Sequence, residues 1–184
     1  MFVIGIAGGS ASGKSTFTER LIKELGDLKV ETIHMDSFFK KREERPYVKS
    51  HLNGKYYVDD NCPDTIYFDE YRKRFNELRE SGADVLITEG LLTLWDEETR
   101  DKINMKIFVD CRSDERLIRR INRNVKYGQK YEDITDVFIN MVRFRHDQYV
   151  EPSKWTADLI VNGSQNTDMV LEMVVEKVKR SLKA

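Results

Sequence analysis

The sequence has few of the residues that stabilise secreted or metal-bound folds: two cysteines, three prolines and three histidines occur in 184 residues. Cys62 and Cys111 have no paired spacing, which argues against a zinc motif or a disulfide framework and indicates reduced thiols in a cytoplasmic protein. No apolar run approaches the roughly 20 residues of a membrane span, and no basic segment precedes the apolar N-terminus. We therefore predict neither a membrane protein nor a signal peptide.

An excess of charge of one sign is also missing. The 31 basic and 32 acidic residues leave a net charge of −1, so no overall basic charge attracts the chain to nucleic acid. Hydrophobic residues make up 40% of the sequence and charged residues 34%, which is enough apolar content for a core. Together with the length, these values predict a single domain over residues 1–184.

Short apolar runs rich in β-branched residues alternate with amphipathic helical patterns, which is typical of a parallel α/β sheet. The predicted strands are Phe2–Ala7, Lys29–Met35, Val85–Thr88, Lys106–Asp110 and Asp158–Val161. The predicted helices are Lys14–Leu25, Tyr67–Ser81, Ser113–Tyr127 with Ser113 as its cap, Ile134–Tyr149 and Asp168–Leu182. We therefore predict a three-layer α/β fold with a mostly parallel five-stranded sheet.

The strongest motif follows the first predicted strand and fits the pattern G-x-x-x-x-G-K-[ST]. Its residues, with the threonine after them, are Gly8, Gly9, Ser10, Ala11, Ser12, Gly13, Lys14, Ser15 and Thr16. Glycines allow a tight turn in which backbone N–H groups converge on phosphate oxygens at a helix N-terminus. In such a loop Lys14 neutralises the β- and γ-phosphates, and the Ser15 hydroxyl binds Mg²⁺. The motif predicts a P-loop NTPase fold that binds ATP, but GTPases, ATPases and kinases all share it.

Two acidic residues lie at the ends of predicted strands, where ligands bind in open α/β sheets. Asp36 ends the second strand and Glu89 ends the third. Beside a phosphate loop, one such carboxylate holds Mg²⁺ directly or through water, and the other accepts the proton of an attacking hydroxyl. Either acid would otherwise be a helix cap or a surface residue. His34, within the second strand, is expected to be packed.

The segment of about residues 37–65 is the weakly patterned part of the chain. A connection of this length in a compact domain favours a substrate loop, whereas its charge run at residues 40–45 fits a solvated mobile loop. Phe39 in this segment is a candidate for substrate binding, because it either stacks on an aromatic acceptor or packs beneath the loop.

A helical lid is predicted over about residues 113–133. One face of its helix carries four arginines at helical spacing: Arg116, Arg119, Arg120 and Arg123. Arginines on one face repel one another unless an anion or solvent lies between them, and the guanidinium group suits bidentate phosphate recognition. Next to a phosphate loop, this face favours a lid that closes on ATP phosphates over a solvated basic face.

These motifs together resemble the uridine kinase family of P-loop nucleoside kinases, relatives of phosphoribulokinase. Besides the phosphate loop, the resemblance covers Asp36-Ser37-Phe38-Phe39-Lys40, Pro63-Asp64 before Phe68-Asp69, Glu89-Gly90-Leu91-Leu92, Lys106–Asp110, Arg116–Arg123, Glu151-Pro152-Ser153-Lys154 and Ala157–Val161. It implies ATP-dependent phosphorylation of a nucleoside 5′-hydroxyl, with uridine or cytidine as the first-choice acceptor. It also implies that Asp36 is the general base, with Lys14 as the other catalytic residue, and that Ser15 and Glu89 serve Mg²⁺.

For the remaining contacts the resemblance implies that Asp64, with Arg116, holds the ribose hydroxyls. Arg119 and Arg123 would close over the phosphates. One departure lies beside this site, because Cys62 stands before Pro63 and Asp64 where the family has histidine.

A larger departure concerns the acceptor pocket. The family carries a β-hairpin that supplies much of its pyrimidine pocket, but here residues 82–84 lead directly from a helix into a strand and leave no room for it. Recognition of uracil therefore does not follow, and contacts in a possible homo-oligomer are affected if the hairpin contributes to them. The lid is shortened too, with Tyr127–Lys130 where an Arg-Gly-Arg sequence is typical.

Two alternatives stay open. The acceptor is another ribosyl or small hydroxyl compound such as nicotinamide riboside, with aromatic residues Phe38, Phe39, Tyr47, Tyr56 or Tyr57 in place of the missing hairpin. Otherwise the chain is a nucleotide-dependent switch that hydrolyses ATP slowly, for which no base at Asp36 is needed. The sequence does not distinguish ATP from GTP as the donor. A small-molecule acceptor is expected in either kinase, with no nucleic acid or membrane partner.

Overall fold

A five-stranded sheet organises the fold, and the computed structural model describes residues 1–183, so that residue 184 of the predicted domain lies outside it. The strands are β1 (Phe2–Ala7), β2 (Val30–His34), β3 (Tyr47–Lys49), β4 (Tyr56–Val58), β5 (Val85–Gly90), β6 (Met105–Asp110) and β7 (Leu159–Asn162). The central sheet has the order β2-β5-β1-β6-β7, and all its neighbouring pairs are parallel. Strands β3 and β4 form a separate antiparallel hairpin.

Helices connect the strands and cover the sheet. They are α1 (Lys14–Leu25), α2 (Phe68–Arg79), α3 (Glu97–Arg100), α4 (Ser113–Lys126), α5 (Tyr131–Val137), α6 (Arg143–Arg145) and α7 (Asp168–Leu182). The π-helical turn Phe138–Val142 joins α5 to α6, and the π-helical turn His146–Val150 follows α6, so that residues 131–150 form one helical segment. Among residues 1–183, no helix combines the length and the apolar character that crossing a membrane requires.

The core lies on both faces of the sheet. Every residue of β1 is buried, as expected for a central parallel strand with helices on both sides. One cluster packs α1 and α7 against the sheet through residues such as Leu21 and Val174. The opposite cluster packs α2 against the sheet through Tyr71 and Phe75. The predicted three-layer α/β fold with a parallel five-stranded sheet is therefore confirmed.

The boundaries of some elements differ from the prediction. Strand β5 extends to Gly90, so that Glu89 lies within the strand. The prediction that Ser113 caps α4 is wrong, because Ser113 is the first helical residue and Arg112 takes the cap position without a side-chain hydrogen bond. The predicted helix 134–149 is present as the α and π turns of residues 131–150.

The hairpin of β3 and β4 lies in the segment for which the sequence predicts only a loop. Its Tyr57 hydroxyl donates to Asp136 in α5 at 2.8 Å, and the hydroxyl of Ser50 donates to Asn140 at 3.1 Å. The Tyr57 ring also packs in a small cluster with residues of the π turn, among them Phe138. The two hydrogen bonds join residues that are 79 and 90 positions apart, so local pattern does not reveal them. The charge run beside the hairpin is largely exposed, as predicted.

No hairpin separates α2 from β5. Helix α2 ends at Arg79, and residues 80–84 turn through Gly82, which has a φ of +75°. The N–H of Val85, the first residue of β5, then donates to the carbonyl of Lys29. The direct connection predicted from the sequence is therefore found.

Candidate active site

The phosphate loop, residues 8–15, joins the carboxyl end of β1 to the N-terminus of α1. Three of its residues have positive φ: +153° at Gly8, +64° at Ala11 and +101° at Gly13. A Cβ on Gly8 would lie 2.5 Å from the carbonyl oxygen of Val109 in β6, so a side chain does not fit between the loop and this strand. The loop thus brings its backbone N–H groups to a helix N-terminus, where an anion is favoured.

A cavity of about 510 Å³ lies beside this loop. It is lined by Ala11, Gly13, Lys14, Ser15, Thr16, Phe17, Arg20, Val109, Arg119, Arg123, Gly163, Gln165 and Thr167. Most of the residues predicted to bind ATP line this cavity, and the others, Gly8, Gly9, Ser10 and Ser12, complete the loop at its edge. The cavity therefore brings the lysine of the motif and two lid arginines to one place.

The arginines of α4 contact the phosphate loop. Arg119 donates from Nη1 to the carbonyl of Ser12 in the loop at 3.4 Å and to that of Gly163 at 3.0 Å, and its Nη2 pairs with Glu115 at 2.5 Å. Arg123 donates from Nη2 to the Ser10 hydroxyl at 3.4 Å. The helix predicted as a lid thus lies against the loop, with cationic groups along one wall of the cavity.

Ser15, Glu89 and His34 form a hydrogen-bonded group at the end of the sheet. The Ser15 hydroxyl donates to Glu89 Oε1 at 3.2 Å, and Nδ1 of His34 lies 2.9 Å from the same oxygen. The pairing of β2 with β5 places His34 directly opposite Glu89. The prediction that His34 is packed is therefore wrong, since its side chain is 53% exposed.

This group has the donor chemistry of a magnesium site. A hydroxyl and a carboxylate are hard oxygen donors, and Mg²⁺ usually takes one or two such protein ligands together with water and substrate phosphates. Among the described residues, no group of three or more His, Cys, Asp or Glu side chains would hold a metal without other ligands. Ser15 and Glu89 therefore fit an ion that arrives with a nucleotide.

The acceptor-side candidates lie on two neighbouring turns. Asp36 is exposed in the turn that follows β2, and Asp64 is exposed in a second turn. Backbone hydrogen bonds hold these turns together, including the bridge between Phe39 and Ile66. The Phe39 ring is half-buried, with the guanidinium carbon of Arg45 4.9 Å from its centre. Asp36, Phe39 and Asp64 are thus brought to the same region of the molecule.

Two arginines of α4 differ sharply in their surroundings. Arg116 is only 5% exposed, and its Nε donates to the Cys111 carbonyl at 3.0 Å. Arg120 reaches the phosphate loop, where its Nη1 donates to the Ser10 hydroxyl at 3.1 Å. Burial lowers the pKa of Arg120, while the nearby carboxylate of Asp60 acts in the opposite direction. Arg120, which the family resemblance left without a role, is therefore an arginine that contacts the phosphate loop directly.

Ion pairs stabilise the substrate segment. The carboxylate of Asp59 is 1% exposed and accepts from Arg145 Nε at 2.6 Å, and Arg45 pairs with Asp60 at 2.7 Å. Burial, and then the charge of Asp59, raises the pKa of Cys62 to about 12. This part of the site is thus held by contacts with residues 131–150 as well as by its own backbone.

Sequence reasoning found no role for three residues of this site: His34, His146 and Arg145. The register of β2 against β5 would have indicated His34, since a residue at that point faces Glu89. No local signal indicates the ion pair of Arg145 with Asp59 or the packing of His146 against Gly9, because both contacts join residues far apart in the sequence.

The fold has a parallel sheet with a phosphate loop after its central strand, and arginines lie over that loop. Together these features define a P-loop phosphotransferase. The chain matches the Phosphoribulokinase / Uridine kinase family over residues 3–84 and 63–170, and it belongs to that family. The predicted resemblance is confirmed.

Individual relatives and solved structures agree with this assignment. The chain is 31% identical to uridine kinase-like protein 5 of Arabidopsis thaliana over 98% of its own length and 43% of the relative. It is 29% identical to a uridine kinase of Anoxybacillus flavithermus, covering 98% of this chain and 94% of the relative. A structure described as a possible uridine kinase from Bacillus stearothermophilus is 21% identical, with a TM-score of 0.58 and 88% of each chain covered.

A shikimate kinase from Bacteroides thetaiotaomicron has the same fold. Its TM-score is 0.57 at 17% identity, with 100% of this chain and 99% of that one covered. At such identities these two solved structures establish the P-loop kinase fold and leave the acceptor open.

Proposed function

We propose that this protein is an ATP-dependent kinase that phosphorylates the 5′-hydroxyl of a nucleoside, with uridine or cytidine as the first-choice acceptor. The observation that carries this proposal is the placement of Asp36. Asp36 is exposed and follows His34 by two residues. His34 lies opposite Glu89 in the sheet, and Glu89 accepts a hydrogen bond from Ser15 of the phosphate loop. A carboxylate at this point suits an acceptor hydroxyl presented to the terminal phosphate.

The chain's own residues supply positioning and charge for the transfer. The phosphate loop and Lys14 bind the triphosphate, and Arg119 and Arg123 neutralise charge on the transferring group. Asp36 accepts the proton of the acceptor hydroxyl while the oxygen of that hydroxyl forms a bond to the γ-phosphorus. The bond from that phosphorus to the bridging oxygen breaks, and ADP leaves with the bond electrons.

Ser15 and Glu89 would hold Mg²⁺, which when bound supplies charge neutralisation for the β- and γ-phosphate oxygens. His34 orients the Glu89 carboxylate towards the loop. On the acceptor, Asp64 would accept hydrogen bonds from ribose hydroxyls, and Phe39 would offer a ring for contact with the base. The predicted cytoplasmic location and homo-oligomer stay predictions.

A second acceptor class is favoured by one observation, the direct connection between α2 and β5. Without the family's hairpin, base recognition falls to the aromatic residues of the substrate segment, which suits another ribosyl compound such as nicotinamide riboside. Two of those aromatics are already engaged within the protein: the Tyr57 hydroxyl is hydrogen-bonded to Asp136, and the Phe38 ring packs edge-on against Tyr71. Phe39 and the exposed Tyr47 and Tyr56 are the ones left for an acceptor.

The experiment is an assay of ATP and GTP consumption with Mg²⁺ across nucleosides and small sugars. We expect phosphorylation of uridine or cytidine, whereas activity on nicotinamide riboside alone would replace the first-choice acceptor by the second. Slow hydrolysis that no acceptor stimulates would identify the chain as a nucleotide-dependent switch and contradict the proposal.

The substitution Asp36→Asn tests the base directly. We expect transfer to fall by at least about a hundredfold, because an amide does not take the proton, while ATP binding is retained. Asp69→Asn, at an exposed acid at the start of α2, serves as the matched control. Full transfer activity in Asp36→Asn would contradict the assignment of Asp36.

A further inference from the structure

The back of the phosphate loop is packed against two nitrogen-bearing side chains. A Cβ on Gly9 would collide with Nη1 of Arg116 and would lie 3.0 Å from Cε1 of His146. The φ of Gly9 is not in the left-handed region, so its backbone would accept other residues. A side chain at this position would therefore displace Arg116 and crowd His146.

Arg116 occupies an unfavourable position for a charged group. It is 5% exposed, and within residues 1–183 its side chain makes a single hydrogen bond, from Nε to the Cys111 carbonyl. The neighbouring acids Asp110 and Glu151 are both paired with Lys154. Burial accordingly lowers the pKa of Arg116. A buried guanidinium that is only partly satisfied calls for a role beyond packing.

His146 is similarly unusual. Its side chain is 9% exposed, and its Nε2 lies 3.3 Å from Glu151. The other ring nitrogen, Nδ1, is buried and has no hydrogen-bond partner among the described residues. Burial and the charge of Arg116 both lower the pKa of His146, while the carboxylates of Glu151 and Asp147 act in the opposite direction.

The two side chains come from the elements that cover the loop. Arg116 lies in the first turn of α4, the helix whose Arg119 and Arg123 line the nucleotide cavity. His146 lies in the helical segment 131–150, which also supports the substrate segment. Contact at Gly9 therefore connects the phosphate loop with both of these elements.

We propose that Arg116 and His146 are positioning residues that hold Gly9, and with it the phosphate loop, in the conformation that binds nucleotide. Arg116 also places a positive charge behind the loop, which favours phosphates bound at its front. This inference rests on the proposed nucleotide-binding role of the loop. It gives Arg116 a task behind the loop in place of the ribose contact implied by the family resemblance.

The test measures the Kd of a fluorescent ATP analogue with Mg²⁺ and without any acceptor. We expect Arg116→Met and His146→Ala each to weaken binding by about tenfold, and Arg116→Lys to retain part of the affinity. Arg112→Met is the matched control, since this neighbouring arginine side chain is 85% exposed, and its Kd should equal that of the wild type. Wild-type affinity in both Arg116→Met and His146→Ala would overturn the inference.

A double variant tests the contact itself. Gly9→Ala should weaken binding because the new methyl group displaces Arg116, and Gly9→Ala with Arg116→Met should bind no more weakly than either single variant. Fully additive losses would overturn the contact. Thermal unfolding shows whether Arg116→Met folds. If it does not, the double variant of Gly9→Ala with His146→Ala is compared with its two single variants in the same way.

The acceptor KM separates this inference from its alternatives. An unchanged analogue Kd with a raised acceptor KM in Arg116→Met would restore the ribose role and overturn the inference. If the wild-type protein binds no analogue, the proposed function itself is overturned. That result differs from the one that overturns this inference, in which the wild type binds the analogue and the variants bind it equally well.

Discussion

The two halves of the site are built in different ways. The nucleotide half consists of the phosphate loop, residues 8–15, with the α4 arginines and residues 163–167 around its cavity. The acceptor half consists of residues 36–66, held on residues 131–150 by long-range contacts. The first obtains its shape from consecutive glycines and a helix N-terminus, and the second from pairs of residues far apart in sequence. The turn of the phosphate loop thus follows from local sequence, although Arg116 and His146 pack against it at Gly9, whereas the acceptor half depends on tertiary packing throughout.

The largest effect is expected from Lys14→Ala in the nucleotide half. Loss of this charge should lower kcat/KM by about a thousandfold, because charge on the transferring group is then incompletely neutralised. The thermal midpoint should stay within a few degrees of the wild type. Lys23→Ala, at an exposed position near the end of the same helix, should keep full activity. More than a tenth of wild-type activity in Lys14→Ala would contradict the assignment of this half.

Arg145→Met should separate the halves through stability. Removing the guanidinium leaves the carboxylate of Asp59 buried without its ionic partner, so the free energy of unfolding should fall by about 3 kcal/mol. Urea denaturation measures the change, and Arg143→Met, at an exposed arginine two residues earlier, is the control. Nucleotide affinity of the folded variant should be nearly unchanged. An equal loss of nucleotide affinity would show that the halves are coupled.

Tyr57→Phe should produce a smaller change in the same half. The variant loses the hydrogen bond to Asp136 and the one accepted from Asn53, which should lower the free energy of unfolding by about 1 kcal/mol. The acceptor KM should rise while the nucleotide KM does not. Tyr131→Phe is the control, because that tyrosine begins α5 outside the acceptor half and is 56% exposed. Equal effects in the two variants would contradict a supporting role for the hairpin.

The same contrast explains what the sequence predicts and what it does not. The five parallel strands and the phosphate loop follow from apolar periodicity and consecutive residues, and all are present. The hairpin of β3 and β4 does not follow, because its partners are residues such as Asp136 and Asn140. The apolar strand predicts a packed His34, whereas His34 lies at the end of the strand, beside Glu89. Predicting it would have required the strand order and register.

The smallest effect, and the most local one, is expected at Cys62, the cysteine that lies in the acceptor half. Burial and Asp59 raise the pKa of Cys62 to about 12, so at pH 8 roughly one thiol in 10,000 is ionised and able to attack a disulfide reagent. In Cys111→Ser, where Cys62 is the only thiol, we therefore expect almost no labelling by a chromogenic disulfide until urea unfolds the chain. Rapid labelling of Cys62 in the native protein would show that the acceptor half opens without global unfolding. In that case the long-range contacts of the acceptor half, including the ion pair of Asp59 with Arg145, would not be strong enough to keep it closed.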